Sequence, residues 1–127
     1  MNHRLASIAF TAIAATFAGC ATMSPADPAR KVDGALVNGA GMTLYTFDRD
    51  VSGSGKSTCN GPCAASWPPF MAAGGAESSA AWQVVAREDG GKQWAYLGKP
   101  LYTWTKDAKA GDRTGDGVNN LWRVAKP

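Results

Sequence analysis

The 127-residue chain carries 18% charged residues and a formal net charge of +3, enough material for one small domain. Its Lys and Arg are scattered, with neither a basic run nor the aromatic-basic interleaving of a nucleic-acid surface, so nucleic acid is not an expected partner. His3 is the only histidine and lies in a leader-like segment, so a processed chain has no imidazole for acid–base work, nucleophile activation or metal ligation, and many enzyme classes are excluded.

The N-terminus reads as an address. Arg4 gives a short positive start, "LASIAFTAIAATFAG" is apolar but too short for a stable span, and small residues precede Cys20, so residues 1–19 are expected to be a secretory signal. "FAGC" resembles the lipobox of bacterial lipoprotein signal peptides, which implies cleavage before Cys20 and lipidation of that cysteine. Ala21, where an inner-membrane lipoprotein would carry Asp, implies by resemblance to Gram-negative sorting an outer-membrane destination. The membrane is then a partner through the lipid anchor. Residues 20–33, polar and proline-bearing, are expected to be a flexible tether, with the folded domain over 34–127.

A glycine turn then leads into "LYTF", whose alternation puts Tyr45 and Phe47 on one strand face and Leu44 on the other. The following "GSGKST" (Gly53 to Thr58) imitates the core of a phosphate-binding P-loop. Asp50 stands where that motif needs its first glycine, and the prolines that follow deny it a long helix, so no ATP binding is expected. Cys59 and Cys63 form a C-x3-C pair. Export to an oxidising compartment favours a disulfide between them; a redox-active pair is the alternative, at the wrong spacing for C-x-x-C. "GPCAASW" (Gly61 to Trp67) is the one helical turn, ended by Pro68 and Pro69. Trp82 to Arg87 and Lys92 to Leu97 are strands joined by the hairpin signal "EDGG". A tight turn at "GKP" leads to Leu101, and after a glycine-rich loop Leu121 to Ala125 supplies the last strand. The expected fold is mainly β, an antiparallel meander closing a small sandwich or barrel with one short helical turn.

The chain repeats itself. "GMTLYTFDRD" (Gly41 to Asp50) lies over "GKPLYTWTKD" (Gly98 to Asp107) with Gly, Leu, Tyr, Thr and Asp coincident and Phe47 facing Trp104, while Trp67 and Trp122 follow their tyrosines at similar distances. The pairs Tyr45/Asp50 and Tyr102/Asp107, with "CNGPCAASWPP" and "WAYLGKPLY", resemble the bacterial predicted-lipoprotein family called the secreted repeat with Y-x4-D motif. The resemblance covers nearly all of the chain from Gly34 and implies a secreted or lipid-anchored protein with paired β repeats. It supplies no catalytic residues.

A buried tyrosine needs a partner for its hydroxyl, and an aspartate just past a strand can accept the amides of the next turn, so the motif is expected to be structural. The alternative is an open aromatic platform of Tyr45, Phe47, Tyr102 and Trp104 for a flat ligand. Asp107, Asp112, Asp116 and Asn119 are oxygen donors in a glycine-rich loop, but lack the spacing of an EF-hand; no metal site and no cofactor are expected. Glu88 and Asp89 fall in a hairpin turn, leaving no catalytic set. The reading is a non-catalytic envelope lipoprotein whose repeat domain binds a small ligand or an envelope protein; the alternative is a redox or electron-transfer accessory using Cys59 and Cys63 or the aromatics.

Overall fold

Short alternating runs separated by glycine turns make short strands. The computed structural model describes residues 27–127. Within them lie β1 (Arg30–Val32), β2 (Ala35–Val37), β3 (Tyr45–Phe47), the single helical turn α1 (Pro62–Ser66), β4 (Trp82–Ala86), β5 (Lys92–Tyr96), β6 (Lys99–Pro100) and β7 (Trp122–Val124). A 3₁₀ turn over Val118–Asn120 precedes β7. The fold is mainly β and antiparallel, in three small sheets ordered β1-β2, β3-β7 and β4-β5-β6.

Two expectations are corrected. The strands do not run as one meander, because β3 pairs with the distant β7, Tyr45 opposite Val124 and Phe47 opposite Trp122. The physical reason is that each of these strands buries two side chains at a spacing of two, Tyr45 with Phe47 and Trp122 with Val124, and pairing them puts all four on one core face. Nor does the fold start at Gly34: Ala29 is buried and β1 pairs with β2, so residues 30–33 belong to the domain rather than to the tether. Asp33 and Gly34, at φ 48° and 77°, form the two-residue hairpin turn that an Asp-Gly pair favours, since both positions require the left-handed region. The expected signal and lipidated Cys20 lie outside the described residues.

The core has two lobes. One gathers Tyr45, Phe47, Cys59, Trp67, Tyr102 and Trp122 around the two repeats; the other gathers Ala29, Leu36, Leu44, Trp82, Leu101 and Ala125 beneath β4 and β5. Thr43, 1% exposed, has a hydroxyl without a hydrogen-bond partner. Removing an orphaned buried hydroxyl while keeping the side-chain shape relieves a desolvation cost. Thr43→Val is therefore expected to stabilise the domain by about 1 kcal/mol; a lower melting temperature would mean that the hydroxyl is hydrogen-bonded in solution.

Candidate functional site: the interlocked Tyr-x4-Asp motifs

Each tyrosine of the repeat is bound to the aspartate of the other copy. The Tyr45 hydroxyl donates to Asp107 Oδ2 at 2.6 Å and the Tyr102 hydroxyl to Asp50 Oδ2 at 2.6 Å. What places them is the backbone, since Tyr45 and Tyr102 exchange both N–H···O bonds, at 2.8 and 3.0 Å, as a single antiparallel bridge. Tyr102 also bridges Pro69 as a non-hydrogen-bonded pair, flanked by the Phe70 N–H bond to the Leu101 carbonyl and the Thr103 N–H bond to the Pro68 carbonyl, both at 2.8 Å.

The second carboxylate oxygen of each aspartate closes its own turn. Asp50 Oδ1 accepts Thr58 N–H and Oγ1–H, both at 2.7 Å, and Asp107 Oδ1 accepts the same two groups of Thr114 at 3.0 and 2.6 Å. The Tyr45 oxygen additionally accepts Gly115 N–H at 3.2 Å, while the Tyr102 oxygen shares a 2.6 Å hydrogen bond with Ser57 Oγ. The two halves thus repeat one another in chemistry as well as in sequence.

The rings follow the same pairing. Trp104, Trp67, Trp122 and Phe47 stack in one column with successive centroids 3.8, 3.8 and 4.3 Å apart, the central pair only 4° from parallel. Tyr45 meets Trp67 edge-on at 5.4 Å, and Tyr102 meets Trp122 edge-on at 5.2 Å. The two edge-to-face contacts are a favourable geometry for aromatic quadrupoles. Both tyrosines are wholly buried and Phe47 nearly so, leaving Trp104 half-buried with Lys106 Nζ 5.6 Å from its ring centre. An open four-ring platform is therefore not formed. Gly115 has to be glycine because a Cβ there would lie 2.8 Å from the Trp67 ring and 2.9 Å from Tyr45.

Burial, and then the adjoining Asp107 carboxylate, push the Tyr45 hydroxyl well above the ordinary tyrosine value; burial and then Asp50 do the same for Tyr102. In the unfolded chain both ionise near 10, so the folded state holds these protons to higher pH. The corresponding stability is complete below about pH 10 and declines as pH rises beyond it. Alkaline absorbance titration is expected to show the phenolate signals of Tyr45 and Tyr102 appearing only with unfolding, each lost in its Phe variant. Ionisation of either within the folded protein would contradict the lock.

Around this centre, Cys59 and Cys63 are joined in a disulfide with Cα atoms 5.2 Å apart, Cys59 fully buried and Cys63 packed on the same cluster. The loop it closes is short, so reduction is expected to cost about 2 kcal/mol without abolishing the fold, as melts with and without reductant would register. In "GSGKST" the amides are used internally: Gly53 N–H binds the Gly98 carbonyl, Lys56 N–H binds Ser54 Oγ, and Thr58 N–H binds Asp50. The oxygens of the C-terminal loop serve their own turns, Asp112 accepting Ala108 and Lys109 amides and Asp116 the Val124 amide. Among the described residues no three His, Cys, Asp or Glu side chains converge on a metal-sized site.

Sequence reading missed Arg87, whose buried guanidinium reaches Ser57, Cys59 and Asn60, and it missed Thr58 and Thr114. An Asp followed by Thr at seven or eight residues in both copies was the available signal for the threonines. With the duplicated geometry in view, a family model describing a secreted repeat of unknown function matches the chain twice, over residues 29–71 and 83–126. The chain belongs to this secreted-repeat lipoprotein family. No curated protein and no solved structure matches it. The two matches of the secreted repeat hold one Tyr-x4-Asp motif each, and the reciprocal hydrogen bonds join one match to the other.

Proposed function

We propose that the protein is a non-catalytic lipoprotein of the cell envelope, held by lipidated Cys20 to the outer membrane of a Gram-negative bacterium, whose double-repeat domain binds a ligand or partner. The observation that carries this reading is the reciprocal lock: the tyrosines and aspartates of both motifs are consumed in binding one another inside the core, so the repeat builds a rigid support and leaves recognition to its surface. The lipobox-like "FAGC" and Ala21 support the anchoring and sorting. Intact mass of the purified protein is expected to give a diacylglyceryl-modified Cys20 at the N-terminus, and the immobilised protein to retain one envelope component saturably. An N-terminus elsewhere ends the lipoprotein reading, and an envelope extract that passes unretained ends the binding one.

A redox accessory is the second reading, favoured by the Trp104–Trp67–Trp122–Phe47 column and the disulfide packed against it. Reversible thiol titration in the folded protein would support it, whereas a bridge that opens only on unfolding would remove it.

A further inference from the structure

The turn between β5 and β6 spends stability on an exposed leucine. Leu97 sits at φ 48° and is 60% exposed, so a bulky apolar residue occupies a left-handed position in water. Leu97 and Gly98 form a two-residue hairpin turn of the kind that Asn-Gly stabilises best. The turn is also clamped: Ser52 Oγ donates to the Leu97 carbonyl at 3.2 Å and Gly53 N–H to the Gly98 carbonyl at 2.9 Å, so Leu97 is held outward on a fixed backbone.

Leu97 is the exposed apolar side chain of a cleft of about 380 Å³ that is floored by the buried Leu101 and Val124 and whose basic side chains are Lys99, Arg123 and Lys126. None of its lining residues is acidic. Arg123 is fixed by Asp48 at 3.2 Å, whereas Lys99 and Lys126 make no ion pair among the described residues. An exposed leucine flanked by two lysines unpaired among the described residues matches an anionic lipid boundary, where phosphates meet the ammonium groups and the apolar side chain enters between headgroups.

The position of this cleft agrees. Ala29, at the start of the described domain, belongs to the same core cluster as Leu101 and Ala125, both of which line the cleft. Ala29 is nine residues beyond Cys20, a reach of at most about 30 Å even when fully extended. A domain so tethered stays beside its membrane.

We propose that the cleft formed by Leu97, Lys99, Arg123 and Lys126 is the face that docks onto an anionic phospholipid bilayer, fixing the orientation in which the repeat domain presents its opposite surface. This rests on the anchoring of Cys20 proposed above. The test uses the lipidated full chain reconstituted in vesicles of phosphatidylcholine alone or mixed with phosphatidylglycerol, with acylation of individual lysines by a water-soluble reagent followed by mass spectrometry. Lys99 and Lys126 are expected to react at least about ten-fold more slowly on the anionic vesicles, with high salt removing the difference, while Lys56 and Lys109 outside the cleft stay unchanged.

Leu97→Asn separates docking from folding: it gives the turn its preferred Asn-Gly pair, so the melting temperature is expected to hold or rise while the lysine protection is lost. Equal lysine reactivity on both vesicle types in protein that floats with them overturns the docking face and leaves the anchor intact. Chain that does not float with vesicles overturns both. Protection by soluble dihexanoyl phosphatidylglycerol, without protection on anionic vesicles, would make the occupant a free amphiphile and overturns bilayer docking. Undiminished protection in Leu97→Asn would likewise refute the role given to Leu97.

Discussion

Tyr45→Ala and Tyr102→Ala are each expected to leave the domain poorly folded. Both rings are fully buried, each stands edge-on to a tryptophan of the stacked column, and each hydroxyl satisfies a buried aspartate. Truncation removes apolar contact, opens a cavity and strands a carboxylate, together costing roughly 3–5 kcal/mol. A domain of this size has on the order of 5–15 kcal/mol in total, so most of the folded population is at stake. Urea or thermal melts measure the loss, and near wild-type stability in both variants would move the tyrosines out of a structural role. The reciprocal geometry makes a sharper demand. Tyr45→Phe should couple to Asp107→Asn by about 1–2 kcal/mol in a double-mutant cycle, and combine additively, within about 0.5 kcal/mol, with Asp50→Asn, with which it shares no hydrogen bond. Coupling within a copy instead of across copies would refute the interlock.

The duplication was readable because tandem copies repeat side-chain identities at fixed spacing, and "LYT" with its trailing Asp is specific enough to align by eye. Alternation placed Tyr45 and Phe47 on one face, and the proline pair after Trp67 marked the end of α1. The pairing of strands was not readable. Periodicity reports which face of a strand is buried but not which strand lies beside it, so the β3-β7 sheet and the exchange of tyrosine and aspartate between copies needed coordinates. The hairpin at Asp33-Gly34 was a local signal in plain view, obscured because the polar, proline-bearing run around it reads as a tether. The turn read at "GKP" lies one residue earlier, at Leu97-Gly98, with Lys99 and Pro100 already in β6; leucine hid its first position, since it is not a residue that a left-handed position selects.

Arg87 is the residue least visible in the sequence and among the most consequential in the fold. Its side chain is 0% exposed and every guanidinium nitrogen is engaged: Nε with Asp89 at 3.0 Å, Nη1 with Ser57 Oγ at 3.1 Å and Gln93 Oε1 at 2.8 Å, and Nη2 with the Cys59 carbonyl at 3.1 Å and Asn60 Oδ1 at 3.3 Å. Through Ser57, which lies 2.6 Å from the Tyr102 hydroxyl, it ties the β4–β5 hairpin to the Tyr102–Asp50 half of the lock. Arg87→Met keeps much of the volume but leaves Gln93, the Cys59 carbonyl and Ser57 short of donors in the interior, and is expected to cost about 3–4 kcal/mol in urea unfolding. Arg87→Lys should recover part of this, because an ammonium reaches one end of the network but lacks the planar fork that serves both. Asp89 offers the control: 57% exposed, with its carboxyl held below the usual range first by the Gly91 amide and then by Arg87, it is screened by water, so Asp89→Asn should leave the unfolding midpoint nearly unchanged. If Asp89→Asn instead costs as much as Arg87→Met, the ion pair and not the buried hydrogen bonds holds the hairpin to the lock.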